Sequence, residues 1–419
     1  MLTSISRRFL QKSFERTRYT FKDLPERVFR APFGVYVHVP FCYSKCTFCP
    51  FYKEIFSESG KEHYLECIVR EIDESKLDGE EAWVYFGGGT PNTLRPKEIG
   101  RIVEALGRQI RFTSLGIELL PARLTLAYLD DLRRLGFTKV SLGVESFAEE
   151  VLGKTGRRTG TLSQLADLVD HAQSLGLWVN ADMMAGLPDQ SAATFAEDVR
   201  KLLSIRPSQI TLYPFLVVRG LEAPSPGRTR SAFEWIEQAA AVILAEGYQR
   251  KGVWTFTVGQ DLYDSSRDEL VQDFAGFGPA AASTCGPWKT VNPELEPYLR
   301  GVREGRMRGF VAPKNPAADE WRKFARMLYD LRVEPPSDLP APMRAFIRLL
   351  RALGYIHDGA WTSKGTIFAH EITKTVVESL PFPLQNPACV ENYSEYERFR
   401  APQERNALGP LPLDPALVP

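Results

Sequence analysis

Three cysteines, Cys42, Cys46 and Cys49, stand within eight residues in "YVHVPFCYSKCTFCPFYK" (36–53). A disulfide takes two thiols, and a structural zinc site usually takes four ligands. His38 lies inside the preceding apolar run, at the wrong spacing for a fourth zinc ligand. Cys67, Cys285 and Cys389 are far away in sequence, and Cys67 falls in a helical pattern as a small core residue. A conventional four-iron electron carrier also uses four thiolates. A cubane held by only three leaves one iron with open coordination positions, and such an iron can bind a substrate. About forty residues further on, "FGGGTP" (86–91) sets three successive glycines before a Thr-Pro pair. Glycines in a row let the main chain approach a neighbour more closely than any side chain permits.

Both motifs sit where a parallel sheet would display them. Short β-branched or apolar runs at 34–41, 83–88, 115–120, 139–144, 177–184 and 209–215 alternate with amphipathic stretches at 60–77, 96–110, 125–135, 162–175 and 191–204. Six β-α units in series predict an α/β fold with a parallel sheet covered by helices. The pattern fades after Phe215, so a partial (β/α)6 TIM-like barrel is expected in place of a closed one. Chemistry in such a sheet gathers at the C-terminal strand ends. The cysteines follow the first strand, and Gly87, Gly88 and Gly89 follow the second. Glu118 ends the third and Glu145 follows the fourth. Asp182 and Met184 lie on the fifth, and Tyr213 on the sixth. That alignment predicts one site at the open end of the sheet. The apolar stretch "LYPFLVV" (212–218) suits a flat hydrophobic acceptor or simply the barrel core.

Composition limits the partners. Lys+Arg and Asp+Glu are both 52 in 419 residues, so no global field favours nucleic acid or an anionic membrane. No stretch approaches the ~20 apolar residues that cross a bilayer. Six cysteines, three of them clustered, argue against a disulfide scaffold and for a reducing, cytoplasmic setting. Residues 1–33 read as a basic arm, in which Glu15, Asp23 and Glu26 count against an organellar transit peptide. The barrel is expected over 34–220 and its substrate-side extension over 221–320. Residues 321–380 outline a winged-helix-like unit, read as a cap because the chain is neutral, and 381–419 a Pro-rich tail.

Taken together, Tyr-x-His-x-Pro-Phe before C-x3-C-x-Phe-C, with "GGGTP" downstream, resembles the radical S-adenosylmethionine (SAM) superfamily. The likeness is to the branch of oxygen-independent coproporphyrinogen III oxidase, its heme-chaperone relatives and the class C methyltransferases. The resemblance implies a 4Fe–4S cluster on Cys42, Cys46 and Cys49 whose open iron takes SAM, two SAM molecules in the class C case, and a flavodoxin- or ferredoxin-like electron donor. It implies that Tyr36, Gly87, Gly88, Gly89 and Thr90 lie around SAM, that Glu118 binds it, and that Glu145 meets its ribose where the family often has Gln. Arg157 matches the arginine for its carboxylate, with Arg158 as a neighbouring choice, and Asp182 and Met184 match a pair near the adenosyl groups. Asp182, Met184, Tyr213 and Trp254–Phe256 are placed near the second pocket by chain position. Two departures separate the subfamilies. Phe51 stands where the coproporphyrinogen oxidases carry a further cysteine, and "GFGPAAASTCGPWKTVNP" (276–293) lacks the histidine of the chaperone-like branch. The expectation is methyl transfer to an sp² carbon of an aromatic, quinone or heterocyclic molecule. Tetrapyrrole chemistry and heme delivery are the alternatives.

Overall fold

The computed structural model describes residues 6–8, 10–12, 17–30, 33–78, 81–216, 228–259, 273–335, 339–380 and 382–401. Val217, Val218 and the tail beyond Ala401 therefore lie outside the described residues. Among the described residues, thirteen strands make one sheet. In chain order they are β1 (Thr20–Asp23), β2 (Phe33–Val39), β3 (Glu81–Gly88), β4 (Arg111–Leu119), β5 (Lys139–Glu145), β6 (Trp178–Ala185) and β7 (Gln209–Pro214), then β8 (Gln249–Arg250), β9 (Thr255–Thr257), β10 (Asp273–Phe277), β11 (Ala282–Cys285), β12 (Trp288–Val291) and β13 (Arg308–Pro313). Across the sheet they run β1-β13-β12-β11-β10-β2-β3-β4-β5-β6-β7-β9-β8.

The six predicted strands are β2 to β7, each pairing in parallel with the next. Side-chain alternation assigns their faces. Val35, Val37, Phe86, Ile117, Val179 and Ile210 are 0–1% exposed and share one apolar core with the covering helices. The opposite parity is polar or aromatic, with Tyr36 beside Tyr85, Glu118 beside Ser141, and Asp182 beside Thr211. That face leads up to the strand ends.

The partial barrel is borne out, because the sheet stays open. After β7 the chain returns as β9, antiparallel, with Thr211 opposite Thr255. On the other edge β10 adds in parallel beside β2, a seventh parallel strand that the sequence pattern did not reveal. The C-terminal unit runs from a helix through a hairpin to a second helix. Helix Ala341–Ala352 leads to Ile356–His357, a turn and Ala360–Trp361, and then to helix Ser363–Ser379. Asp358 and Gly359 both have positive φ (47° and 71°), the conformation a two-residue hairpin turn of this hand demands. The arm and the start of the tail cover the far edge together. Phe21 of β1 packs with Phe310, Tyr396 and Phe399, and the Tyr19 amide donates to the Cys389 carbonyl at 2.8 Å.

Candidate active site

The cysteine loop is closed at its base by Phe41–Cys42 pairing with Glu54–Ile55. Cys42 is buried, Cys46 and Cys49 are partly buried, and all three are free thiols. Thr90 Oγ1 donates to Cys42 Sγ at 3.4 Å, and Lys53 Nζ donates to the Cys49 carbonyl at 2.7 Å. Burial pushes the Cys49 thiol up to about 11 and raises Cys42, so both are neutral until something replaces their protons.

The glycine run is what lets β3 end against this loop. The amides of Gly89 and Thr90 donate to the carbonyls of Val39 and Phe41, each at 2.7 Å. A Cβ on Gly89 would lie 2.6 Å from the Phe41 oxygen and 2.9 Å from the Pro40 carbonyl carbon, all of it main chain. Gly88 adopts φ +108° under the His38 ring, and Gly87 lies against the Tyr36 ring. Gly89→Ala should therefore shift the base of the cysteine loop. The expected outcome is a melting temperature several degrees lower and an iron content reduced by more than half, read by calorimetry and metal analysis.

Behind the loop the charged residues form one group. Arg157 lies partly buried, 3.4 Å from Glu145 Oε1, and its Nη2 donates to the Gly143 carbonyl. Arg158 is exposed, whereas Arg157 faces Glu145. Burial pushes the Glu118 carboxyl up to about 8, with Asp182 and Glu145 adding to the rise and Arg157 opposing it. Burial likewise raises Glu145 to about 7 against the pull of Arg157, and it raises Asp182. Glu145 also has φ +67°, an uncommon conformation for a residue with a side chain, at the strand end where it meets Arg157. Three carboxylates thus face one guanidinium. That imbalance suits a cationic ligand.

The aromatic side of the site forms a second group. Phe48 of the cysteine loop packs with Met184, Leu187 and Phe215, and Cys46, Cys49 and Tyr213 lie against them. The structure thus joins Met184 and Tyr213 to the cysteines, and Asp182 to the carboxylate group. Tyr36 reaches the strand end beside His38, its hydroxyl 3.5 Å from Nδ1.

Sequence reasoning missed the residues that hold these groups. Asp182 accepts from Ser141 Oγ at 2.5 Å and from Asn180 Nδ2 at 2.9 Å, while Thr211 donates to Asn180 Oδ1 at 2.9 Å. The signal was the set of polar residues Ser141, Asn180, Asp182, Gln209 and Thr211, which stand in register on one face of β5, β6 and β7. The Gln190 side chain accepts from the Gly186 and Leu187 amides and donates to the Met184 carbonyl, which fixes the turn after β6. A single glutamine in a loop gives no pattern to find it by.

Among the described residues no group of three or more His, Cys, Asp and Glu side chains is arranged to hold a metal ion. The donor set still fits a cluster. Three free thiols share one loop, near enough for Cys42 to feel Cys46 and for Cys49 to feel Cys42. Beside them, Arg157 Nε is buried without a hydrogen-bond partner among the described residues, ready for an anionic ligand group.

Residues 36–202 match the radical SAM superfamily. The oxygen-independent coproporphyrinogen III oxidase of Pseudomonas aeruginosa is 30% identical over 269 residues, which is 59% of this chain and 58% of that protein. The heme chaperone HemW of Escherichia coli is 26% identical over 231 residues, 52% of this chain and 61% of its own length. The chain thus aligns with about three fifths of the length of each. The solved structure of coproporphyrinogen III oxidase (HemN) from Escherichia coli superposes with a TM-score of 0.66, covering 87% of this chain and 92% of that one. At 22% identity that likeness speaks for the fold. Among the described residues no helix is long and apolar enough to cross a membrane.

Proposed function

Starting from the radical SAM domain that this chain carries over residues 36–202, we propose that the protein is a radical SAM enzyme that methylates an sp² carbon of a flat conjugated ring. The observation that carries this reading is the convergence of Cys46, Cys49 and Phe48 with Met184, Tyr213 and Phe215 in one apolar cluster. It supports a cluster site beside an apolar, water-excluding wall. Cys42, Cys46 and Cys49 would hold the 4Fe–4S cluster. When bound, cluster and SAM supply a 5′-deoxyadenosyl radical, and a second SAM supplies the methyl group.

The chain's own residues bind, orient and exclude water. Arg157 opposes a carboxylate, and its free Nε offers the donor such a group would take. Glu118, Glu145 and Asp182 oppose the positive charges of sulfonium and amine. Ser141 and Asn180 fix the Asp182 carboxylate so that it cannot swing away. With its carboxyl raised to about 8, Glu118 holds a proton at neutral pH in the ligand-free site and gives it up as the cationic ligand binds. Phe48, Met184 and Phe215, each 8–9% exposed, keep water from the wall. A one-electron donor of the flavodoxin or ferredoxin class would reduce the cluster.

The second reading is tetrapyrrole chemistry. The coproporphyrinogen oxidase and HemW relatives favour it. Phe51, 52% exposed at the place of a further cysteine, weighs toward methyl transfer. Methyl-deuterated SAM distinguishes the two. Methyl transfer should put deuterium into 5′-deoxyadenosine and into the product, with S-adenosylhomocysteine formed alongside. Deuterium-free 5′-deoxyadenosine in a reaction releasing CO₂ from a porphyrinogen would replace it with decarboxylation.

A further inference from the structure

The β7 side of the site is held from outside the barrel. Helix Ser363–Ser379 of the cap carries His370, which is fully buried. Trp254 Nε1 donates to His370 Nδ1 at 2.9 Å, and His370 Nε2 lies 2.7 Å from Glu237 Oε1 on helix Arg228–Ala245. Phe233 of that helix stacks on the imidazole at 4.9 Å. Arg250 grips the same carboxylate with bonds of 3.0 and 2.6 Å, and also donates to the carbonyls of Gly252 and Val253. The segment entering β9 is thereby pinned from two directions.

Hydrogen-bond roles fix the protonation state. An indole N–H can only donate, so Nδ1 must accept and the imidazole proton must sit on Nε2, facing Glu237. A doubly protonated ring would set two donors against each other at Trp254. Burial favours the neutral ring as well.

Trp254 carries this arrangement to the site. Its ring meets that of Tyr213 edge-on at 6.0 Å, and its carbonyl accepts from the Leu212 amide at 2.8 Å. Tyr213 in turn lies against the cluster of Phe48, Met184 and Phe215. Tyr329 supports the opposite side. Its ring crosses Trp254 at 5.9 Å, its hydroxyl bonds Thr255 Oγ1 at 2.8 Å, and its carbonyl accepts from the Val253 amide at 2.7 Å. Tyr329 ends helix Pro316–Tyr329, which stands just before the cap.

We propose that His370 is a positioning residue for the substrate-side wall, and that the C-terminal cap is a working part of the active site. Through the acceptor at Nδ1 it fixes Trp254, and through Trp254 the setting of Tyr213 and the end of β7. This deepens the reading above and rests on it for the claim that the open strand ends are where the reaction occurs.

The test compares wild type, His370→Phe and His370→Asn as full-length, cluster-reconstituted proteins. Asparagine keeps an acceptor near the place of Nδ1 and gives up the bond to Glu237, whereas phenylalanine keeps the ring and loses both. Hydrogen–deuterium exchange of peptides spanning 209–215 and 251–257 should quicken at least tenfold in His370→Phe and return to within about threefold of wild type in His370→Asn. SAM cleavage without acceptor, driven by dithionite, should stay within twofold in both. Unchanged exchange in His370→Phe, an asparagine variant no better than the phenylalanine one, or equal loosening of helix 316–329 would overturn the proposal. Wild type that cleaves no SAM would overturn the functional reading instead, and the exchange data would still decide the role of His370.

Discussion

Replacing any one of Cys42, Cys46 and Cys49 with alanine should abolish the oxygen-sensitive iron–sulfur absorbance and reduce reductive SAM cleavage at least a thousandfold. Replacing Cys67, Cys285 or Cys389 with serine should leave iron content within about a fifth of wild type. The contrast follows from where the sulfurs lie. Cys67 Sγ is turned to the Leu299 carbonyl at 3.7 Å, inside the contact between helices 58–73 and 295–303. Cys285 is turned to the Val28 carbonyl at 3.0 Å, and Cys389 is buried in the cluster joining β1 to the tail. None of the three shares the loop or the strand ends. Iron and acid-labile sulfide analysis of anaerobically reconstituted variants checks the expectation. Equal iron loss on changing one of those remote thiols would mean a fourth protein ligand, and the open iron on which SAM binding depends would go with it. A partial cluster in a single variant is no rescue, since three thiolates are already one short of a closed site.

How much of this was legible in the sequence depends on the range of the interaction. The strands β2 to β7 were readable because their apolar faces repeat every second residue and their helices fall between. The cysteine loop and the glycine turn were readable because each lies within a few residues of chain. Asp182 was found, but not Ser141, whose bond to it forms only once β5 and β6 are paired, nor Asn180 two residues away on the same strand. β10 was missed because Asp273–Phe277 pairs with Phe33–Val37 across more than half the chain, and nothing local marks it. The bond from Trp254 to His370 spans 116 positions, and nothing local in the sequence marks it. Glycine in "GGGTP" was read as a ligand cradle. In the fold, its nearest neighbours are the main chain of Pro40 and Phe41, so the run also builds the loop that holds the thiols.

The excess of carboxylates over guanidinium at the site gives the second large effect. Holoprotein without SAM should lose thermal stability as the pH rises from about 6 to about 8.5, while its affinity for SAM should increase about tenfold or more over the same range. The sign follows from burial. The Glu118 carboxyl ordinarily titrates at 4.5 and stands at about 8 in the fold. The folded state therefore holds a proton that the unfolded state has already released, and the stability associated with it is fully present below 4.5 and lost as the pH passes through about 8. Glu145, raised to about 7, acts in the same sense at a lower pH. A ligand carrying a sulfonium and an amine favours the ionised carboxylates, so binding should release protons and tighten with pH. Glu118→Gln removes the main titration and keeps the shape. Its melting temperature should exceed that of wild type by a margin that widens from pH 6 to pH 8.5, and the pH dependence of its SAM affinity should flatten. Calorimetry across pH, with proton release measured by binding titrations in buffers of different ionisation enthalpy, gives both readouts. Melting curves that stay parallel for wild type and Glu118→Gln would show that Glu118 is ionised in the ligand-free site. Arg157 would then be holding more than one carboxylate in place, and the site would carry net negative charge before SAM arrives.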